Sequence, residues 1–234
     1  MRILVINPNT TESMTALIGE CARAAVGPGV TVDAVNPSSG PVSLESHYDE
    51  AMATPHLLDL ITAGEQQGYD GFVIACFGDP GLLAAREIAT GPVVGIAEAA
   101  MHTATYLGRS FSVVTTLGRT IGHARDIARQ YGLVDRCAGM HACEIPVVDL
   151  ETDPEARARI TAECRAALSD DSSDVIVLGC AGMADLCAAI SADIGVPVID
   201  GVTAATAEVE KLVRLGLVTS KAGEFAQPPA KAFV

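Results

Sequence analysis

The 234-residue chain has no tryptophan, 4% aromatic residues, and only three lysines, Lys211, Lys221 and Lys231, all near its C-terminus. The shortage of lysine bears on two chemistries. A pyridoxal phosphate enzyme needs a Schiff-base lysine in its site, and these three fall in the last helix or the tail, away from every loop that follows a strand. A nucleic-acid surface needs clustered Lys and Arg. Here fifteen basic residues are scattered against twenty-nine acidic ones, for a formal net charge of −14. No P-loop or GxGxxG pattern follows the first apolar run. No stretch of about 18 apolar residues is free of Gly, Pro or charge, so no membrane span is expected. The opening MRILVINPNT is too short for a signal peptide. The cysteines number seven, an odd count at irregular spacing, which does not suit a disulfide framework. The expectation is a soluble cytoplasmic protein with reduced thiols, no organic cofactor, and no nucleic-acid or membrane partner.

What the chain does have is apolar aliphatic side chain. Hydrophobic residues make up 49% of it and charged residues 19%, enough to build a buried core. Short apolar runs alternate with longer amphipathic ones. Strands are expected at 2–6, 30–35, 71–76, 92–96, 111–115, 144–148, 174–180 and 197–199. The run at 144–148 contains Pro146 and suits an edge. Helices are expected over 10–25, 49–66 (disturbed by Pro55), 80–88 with Pro80 as first helical residue, 97–107, 120–131, 154–168, from about 183, and on to about 215. The tail from Thr219 reads as extended, packed late or on a neighbour. Strands alternating with helices of this size specify an α/β fold with parallel sheets.

The order of motifs repeats. RILVINPNT (2–10) matches FSVVTTLGRT (111–120), VIACFGDPGL (73–82) matches VLGCAGMADL (177–186), and PVVGIAEAA (92–100) matches PVIDGVTAA (197–205). The intervals agree: 67 residues from Asn9 to Cys76 against 64 from Thr116 to Cys180, and 16 from Cys76 to Pro92 against 17 from Cys180 to Pro197. Three matches in register indicate an internal duplication. Equivalent strand ends of two such lobes can face each other across a cleft, where α/β sheets bind ligands.

Cys76 and Cys180 share one position in this repeat. Each is expected to end a strand ahead of a helix N-terminus, where amides and the helix dipole stabilise a thiolate. Two thiols on opposite sides of a planar carbanion suit racemisation: one removes a proton from one face, and the other delivers a proton to the opposite face. Cys21, Cys164 and Cys187 fall inside helical patterns and read as small core residues. Cys137, His141 and Cys143 lack a second ligand pair at a zinc spacing, so no metal site is assigned. Gly78, Gly81 and Gly182 let backbone amides approach a ligand. Those amides, or Asn9, Thr115 or Thr116, could hold a developing enolate oxygen. Asp79 has an alternative role as cap of the helix beginning at Pro80.

INPNT (6–10), ACFGDPGL (75–82), GIAEAAMH (95–102) and LGCAGM (178–183) resemble the hydantoin and allantoin racemases of the aspartate/glutamate racemase superfamily, over 2–221. The resemblance implies two pseudo-symmetric Rossmann-like lobes, 1–100 with 206–234 and 101–205, with the active site between them and the C-terminal helix returning to the first lobe. It implies no metal and no organic cofactor. Cys76 and Cys180 match the family's two catalytic thiols. Asn9, Thr116, the FGDPG loop (Phe77, Gly78, Asp79, Pro80, Gly81) and the CAGM loop (Ala181, Gly182, Met183) fall where the family holds substrate. A departure is Gly118, where relatives often carry Pro. ESHYDEA (45–51) and HARDIARQYG (123–132) look more like the allantoin enzymes than other hydantoin racemases. The implied substrate is allantoin or another 5-monosubstituted hydantoin. The hydrophobic helices and the Pro-rich tail suit a homo-oligomer. An amino-acid racemase drawing on Arg86 or Arg119, a maleate isomerase, and a ligand-sensing module remain as alternatives.

Overall fold

The computed structural model describes residues 1–231. The first half runs β1 (Arg2–Ile6), α1 (Glu12–Ala24), β2 (Thr31–Val35), α2 (His47–Gln66), β3 (Gly71–Ile74), α3 (Leu82–Ile88), β4 (Val93–Gly95) and α4 (Ile96–Leu107). The second half repeats it as β5 (Phe111–Thr115), α5 (Ile121–Gln130), β6 (Cys137–Ala142), α6 (Ala156–Asp171), β7 (Val175–Leu178), α7 (Cys187–Ile194), β8 (Val198–Asp200) and α8 (Gly201–Arg214). Each half forms a four-stranded parallel sheet, in the orders β2-β1-β3-β4 and β6-β5-β7-β8. The registers agree as well: Ile74 pairs with Gly95 in one sheet, and Leu178 with Asp200 in the other. The duplication in the sequence is therefore a duplication of topology. The chain leaves β1 and β3 toward opposite sides of the sheet, and β5 and β7 do the same. This opens a crevice at their carboxyl ends, the switch point where such sheets take ligands.

Alternation along the strands divides the apolar residues into three clusters. Leu4, Ile6, Phe72 and Ile74 pack with Leu57 and Ile61 of α2 and Leu82 of α3. Val114, Ile176 and Leu178 pack with Ile160 and Cys164 of α6 and Ile190 of α7. The opposite faces, including Ile3, Val5, Val73, Val113, Val175 and Val177, share a single central cluster with α4 and α8. The two helices are exchanged: α4 packs on β7 and β8 of the second sheet, and α8 returns to β3 and β4 of the first. Position 100, at the lobe boundary implied by resemblance, falls inside α4. The companion range 206–234 extends over 232–234, which lie outside the described residues. The tail packs on the first lobe through Thr219, whose amide donates to the Thr90 carbonyl, and Lys221, whose ammonium donates to the carbonyls of Arg86 and Glu87.

Four expectations need correction. No strand forms at 144–148; the edge strand is β6, paired with β5 through a register shift at Phe111/Ser112. Residue 144 has φ +53, and a short 3-10 turn follows at Val147–Asp149. Ile145 and Val147 are buried, but as loop residues. Pro80 does not open a helix: Asp79 (φ 45) and Gly81 (φ 66) both turn left-handed around it, and α3 begins at Leu82. After Cys180 the chain first forms a 3-10 turn, Ala181–Leu186, before α7. Pro55 does not interrupt α2, which is helical throughout.

Asp79 explains where the two halves differ. In the second half Asp200 caps its own helix α8, accepting from the Thr203 amide at 2.8 Å. The equivalent residue before α4 is Gly95, which has no side chain to cap with. Asp79 replaces it, accepting from the amides of Ala97 (3.0 Å) and Glu98 (2.9 Å) and from the Tyr131 hydroxyl (2.6 Å). A Cβ on Gly95 would lie 2.2 Å from the Asp79 carboxyl carbon, so glycine is required there. One carboxylate thus ties the loop after β3 to α4 and to the end of α5.

Two substitutions test these supports. Tyr131→Phe removes one hydrogen bond to a buried carboxylate and should cost about 2 kcal/mol, a fall in Tm of roughly 4–8 °C. Gly201→Ala drives a methyl to 2.4 Å from the Ile96 carbonyl oxygen at the contact between α8 and α4. Overpacking of this kind costs about 1–3 kcal/mol. Thermal denaturation followed by circular dichroism checks both.

Candidate functional site

Loops from both lobes close a small cavity of about 60 Å³ at the facing strand ends. By the measure that one water occupies roughly 10–15 Å³, it holds a few waters or a small planar ring. The first lobe contributes Asn9 after β1, and Cys76, Phe77 and Gly78 after β3; the second contributes Thr115 and Thr116 at the end of β5, and Cys180 and Ala181 after β7. Leu44 and Val147 also line it. Above them the Glu45 carboxylate accepts from the Val147 amide at 2.7 Å, a clasp between the lobes.

Both cysteines are half-buried and line the cavity, and both thiols are free. Burial pushes the Cys76 thiol far up, against an opposing hydrogen bond from the Gly78 backbone; the negative charges of Glu50 and Cys180 raise it further. Burial likewise pushes Cys180 up to about 12, opposed by the Gly182 backbone. The sequence led to the expectation of thiolates stabilised by helix N-termini. For Cys76 no helix begins until Leu82, six positions on, and desolvation outweighs the single amide. Cys180 does cap a 3-10 turn, with the same net result.

Asn9 is held by its carbonyl oxygen, which accepts from the Asn7 side chain (2.8 Å) and the Thr11 amide (2.9 Å). Its own amide nitrogen contacts the Met14 sulfur at 3.3 Å, a weak acceptor that leaves donor capacity at the cavity. Thr115 donates its hydroxyl to the Gly179 carbonyl (3.0 Å) and supports the loop before Cys180. Thr116 lines the cavity directly.

The other residues singled out from the sequence surround this cavity without lining it. Gly182 and Met183 lie behind Cys180, both buried. Asp79, Pro80 and Gly81 line a second cavity of about 410 Å³, bounded also by His47, Thr54 and Tyr131. Burial raises the Asp79 carboxyl to about 6, opposed by its three donors. Cys164 is core, and Cys21 and Cys187 are half-buried against it. His141 is bound between Asp171 (2.7 Å) and Glu163 (3.6 Å), not between Cys137 and Cys143. Gly118 receives Glu144, whose carboxylate accepts from its amide at 2.8 Å.

Two residues escaped sequence reasoning. Glu50, in the first turn of α2, and His123, in the first turn of α5, form a wall shared by both cavities. His123 Nε2 lies 3.3 Å from Glu50 Oε1 and 3.2 Å from the Gly78 carbonyl oxygen. Burial raises the Glu50 carboxyl, with His123 and His47 opposing. Both sit in the segments ESHYDEA and HARDIARQYG, whose only signal was resemblance. Among the described residues, no Lys or Arg lines the smaller cavity. Arg86 is engaged with Glu98 at 2.5 Å and the Val93 carbonyl, and Arg119 lies outside the lining.

The family model for Asp/Glu/Hydantoin racemase matches residues 3–209. The chain is 46% identical over 233 residues to a hydantoin racemase of Rhizobium meliloti, covering 99% of this chain and 97% of the relative. Among solved structures it is similar to an allantoin racemase from Klebsiella pneumoniae, with TM-score 0.98 and 52% identity over 100% of this chain and 96% of that one. It is also similar to an allantoin racemase from Pseudomonas fluorescens, with TM-score 0.96 and 42% identity over the whole of both chains. No helix among the described residues is long and apolar enough to cross a membrane. With two topologically equivalent sheets, a cavity at their facing strand ends, and agreement with these relatives over nearly its full length, the chain belongs to the Asp/Glu/Hydantoin racemase family and is a racemase.

Proposed function

We propose that this racemase inverts C5 of allantoin or another 5-monosubstituted hydantoin by two-base proton transfer between Cys76 and Cys180, without a cofactor. The observation that carries the reading is the pairing of these two thiols, one from each lobe at equivalent positions, in the wall of one small cavity. One sulfur acts as thiolate and takes the C5 proton. The planar enolate that remains receives a proton from the thiol on its other face, and the roles reverse for the opposite enantiomer. Asn9, the backbone of the loop at Phe77 and Gly78, Thr116, and Ala181 would hold the ring and its developing oxyanion. Thr115 lines the cavity and braces the loop before Cys180, Gly182 and Met183 support that wall from behind, and Asp79, Pro80 and Gly81 set the path of the loop carrying Cys76.

The charge balance of the cavity favours a neutral ring ureide over an α-amino acid. An amino-acid carboxylate calls for a cation, and the ionisable side chains lining the cavity besides the cysteines are Glu50 and His123. Allantoin is favoured over other hydantoins by the two allantoin racemase structures this chain is similar to. The reading extends to a cytoplasmic setting, in which seven free thiols stay reduced.

Incubated with one enantiomer of allantoin or a 5-substituted hydantoin in deuterated water, the enzyme should erase optical rotation while C5 takes up deuterium, seen by proton NMR. Cys76→Ser and Cys180→Ser should each lower two-way racemisation by about 10²–10⁴-fold. Full activity in both single variants would remove the thiols from the mechanism.

The pH profile gives a separate check. Burial favours the neutral thiols, so in the free enzyme the thiolate fraction grows as pH rises. The value of kcat/KM should climb from pH 6 to pH 9, by about tenfold per unit on its steep limb. A profile already level above pH 7 would point to a carboxylate base.

A further inference from the structure

The wall between the two cavities holds a side-chain cluster that racemisation by two thiols does not require. His47 and Glu50 stand three residues apart in the first turn of α2, so both project from one helical face. His123 of α5 reaches the same point from the second lobe. One ligand-capable atom from each of these three residues lies within 4.8 Å of the others. The His47 and His123 rings meet edge to face, 5.2 Å between centroids at 89°. Two imidazoles and one carboxylate at this separation form the donor set of a borderline divalent transition metal, with coordination positions left open to water. All three residues also line the larger cavity, which gives a path from solvent.

We propose that His47, Glu50 and His123 bind one divalent transition-metal ion of the zinc type, and that its occupancy slows racemisation. Glu50 and His123 form part of the catalytic cavity's wall. A metal drawing them together would bring its own water ligands against that wall, where they compete with a substrate ring for the cavity. The proposed ion is a regulator of this site and has no part in proton transfer.

The test uses full-length protein freed of metal with chelator and titrated with Zn²⁺ by isothermal calorimetry. One equivalent should bind, and racemase activity should fall along the same titration. His47 lies outside the catalytic cavity, so His47→Gln should keep its activity in chelator, bind Zn²⁺ at least about tenfold more weakly, and resist zinc inhibition. The double variant Cys76→Ser, Cys180→Ser should bind as tightly as the native protein. Co²⁺ substitution should show visible d–d bands without thiolate-to-metal charge transfer. Absence of binding, unchanged binding in His47→Gln, or loss of binding in the cysteine variant would each overturn the proposal, the last by placing the metal on the catalytic thiols.

Discussion

The site depends on a buried carboxylate that serves a helix other than its own. Asp79 follows the strand that delivers Cys76, yet its oxygens are spent on the first amides of α4 and on the Tyr131 hydroxyl. A helix N-terminus leaves amides without partners, and Gly95 cannot supply one. The same carboxylate meets that need and fixes the path of the loop bearing the thiol. Because α4 packs on the second sheet, this cap also sets the position of Cys76 relative to the opposite lobe, where Cys180 stands.

The electrostatics around the thiols follow from enclosure. Gly78 and Gly182 each supply a backbone hydrogen bond favouring a thiolate, and burial exceeds both. Burial therefore favours the neutral form of both thiols. A low-dielectric site strengthens the hydrogen bonds made within it, so the amides that fail to ionise a thiol alone are well placed to stabilise charge spread over a larger, delocalised anion. The absence of Lys and Arg from the lining is consistent with this: a fixed cation there would pair with a thiolate and blunt its basicity.

Much of the fold was legible where local pattern and tertiary role agree. Arg2–Ile6 and Phe111–Thr115 are central strands, mostly apolar and buried, and both fall where the pattern puts them. The repeat identified Cys76 and Cys180 because it tied two distant positions to one structural role. It failed where burial and pattern diverge. β6 is an edge strand carrying Gly139 and His141, with no apolar run to announce it, while Ile145 and Val147 look like a strand but pack as loop. Pro80 looked like a helix start, but Asp79 and Gly81 turn left-handed on either side of it, and the Asp79 carboxylate caps the distant α4. Glu50 and His123 come from separate helices, and nothing local marks their meeting.

The exchange of α4 and α8 gives the molecule an unusual kind of wholeness. Cut between its halves, each fragment would carry a helix whose partner sheet is on the other piece, with the central cluster laid open. The fold is thus equivalent to a two-fold dimer with swapped helices, written on one chain. That arrangement frees the two halves to diverge in sequence: Asp200 can cap its helix directly while Gly95 relies on Asp79, and one crevice can hold two chemically distinct faces.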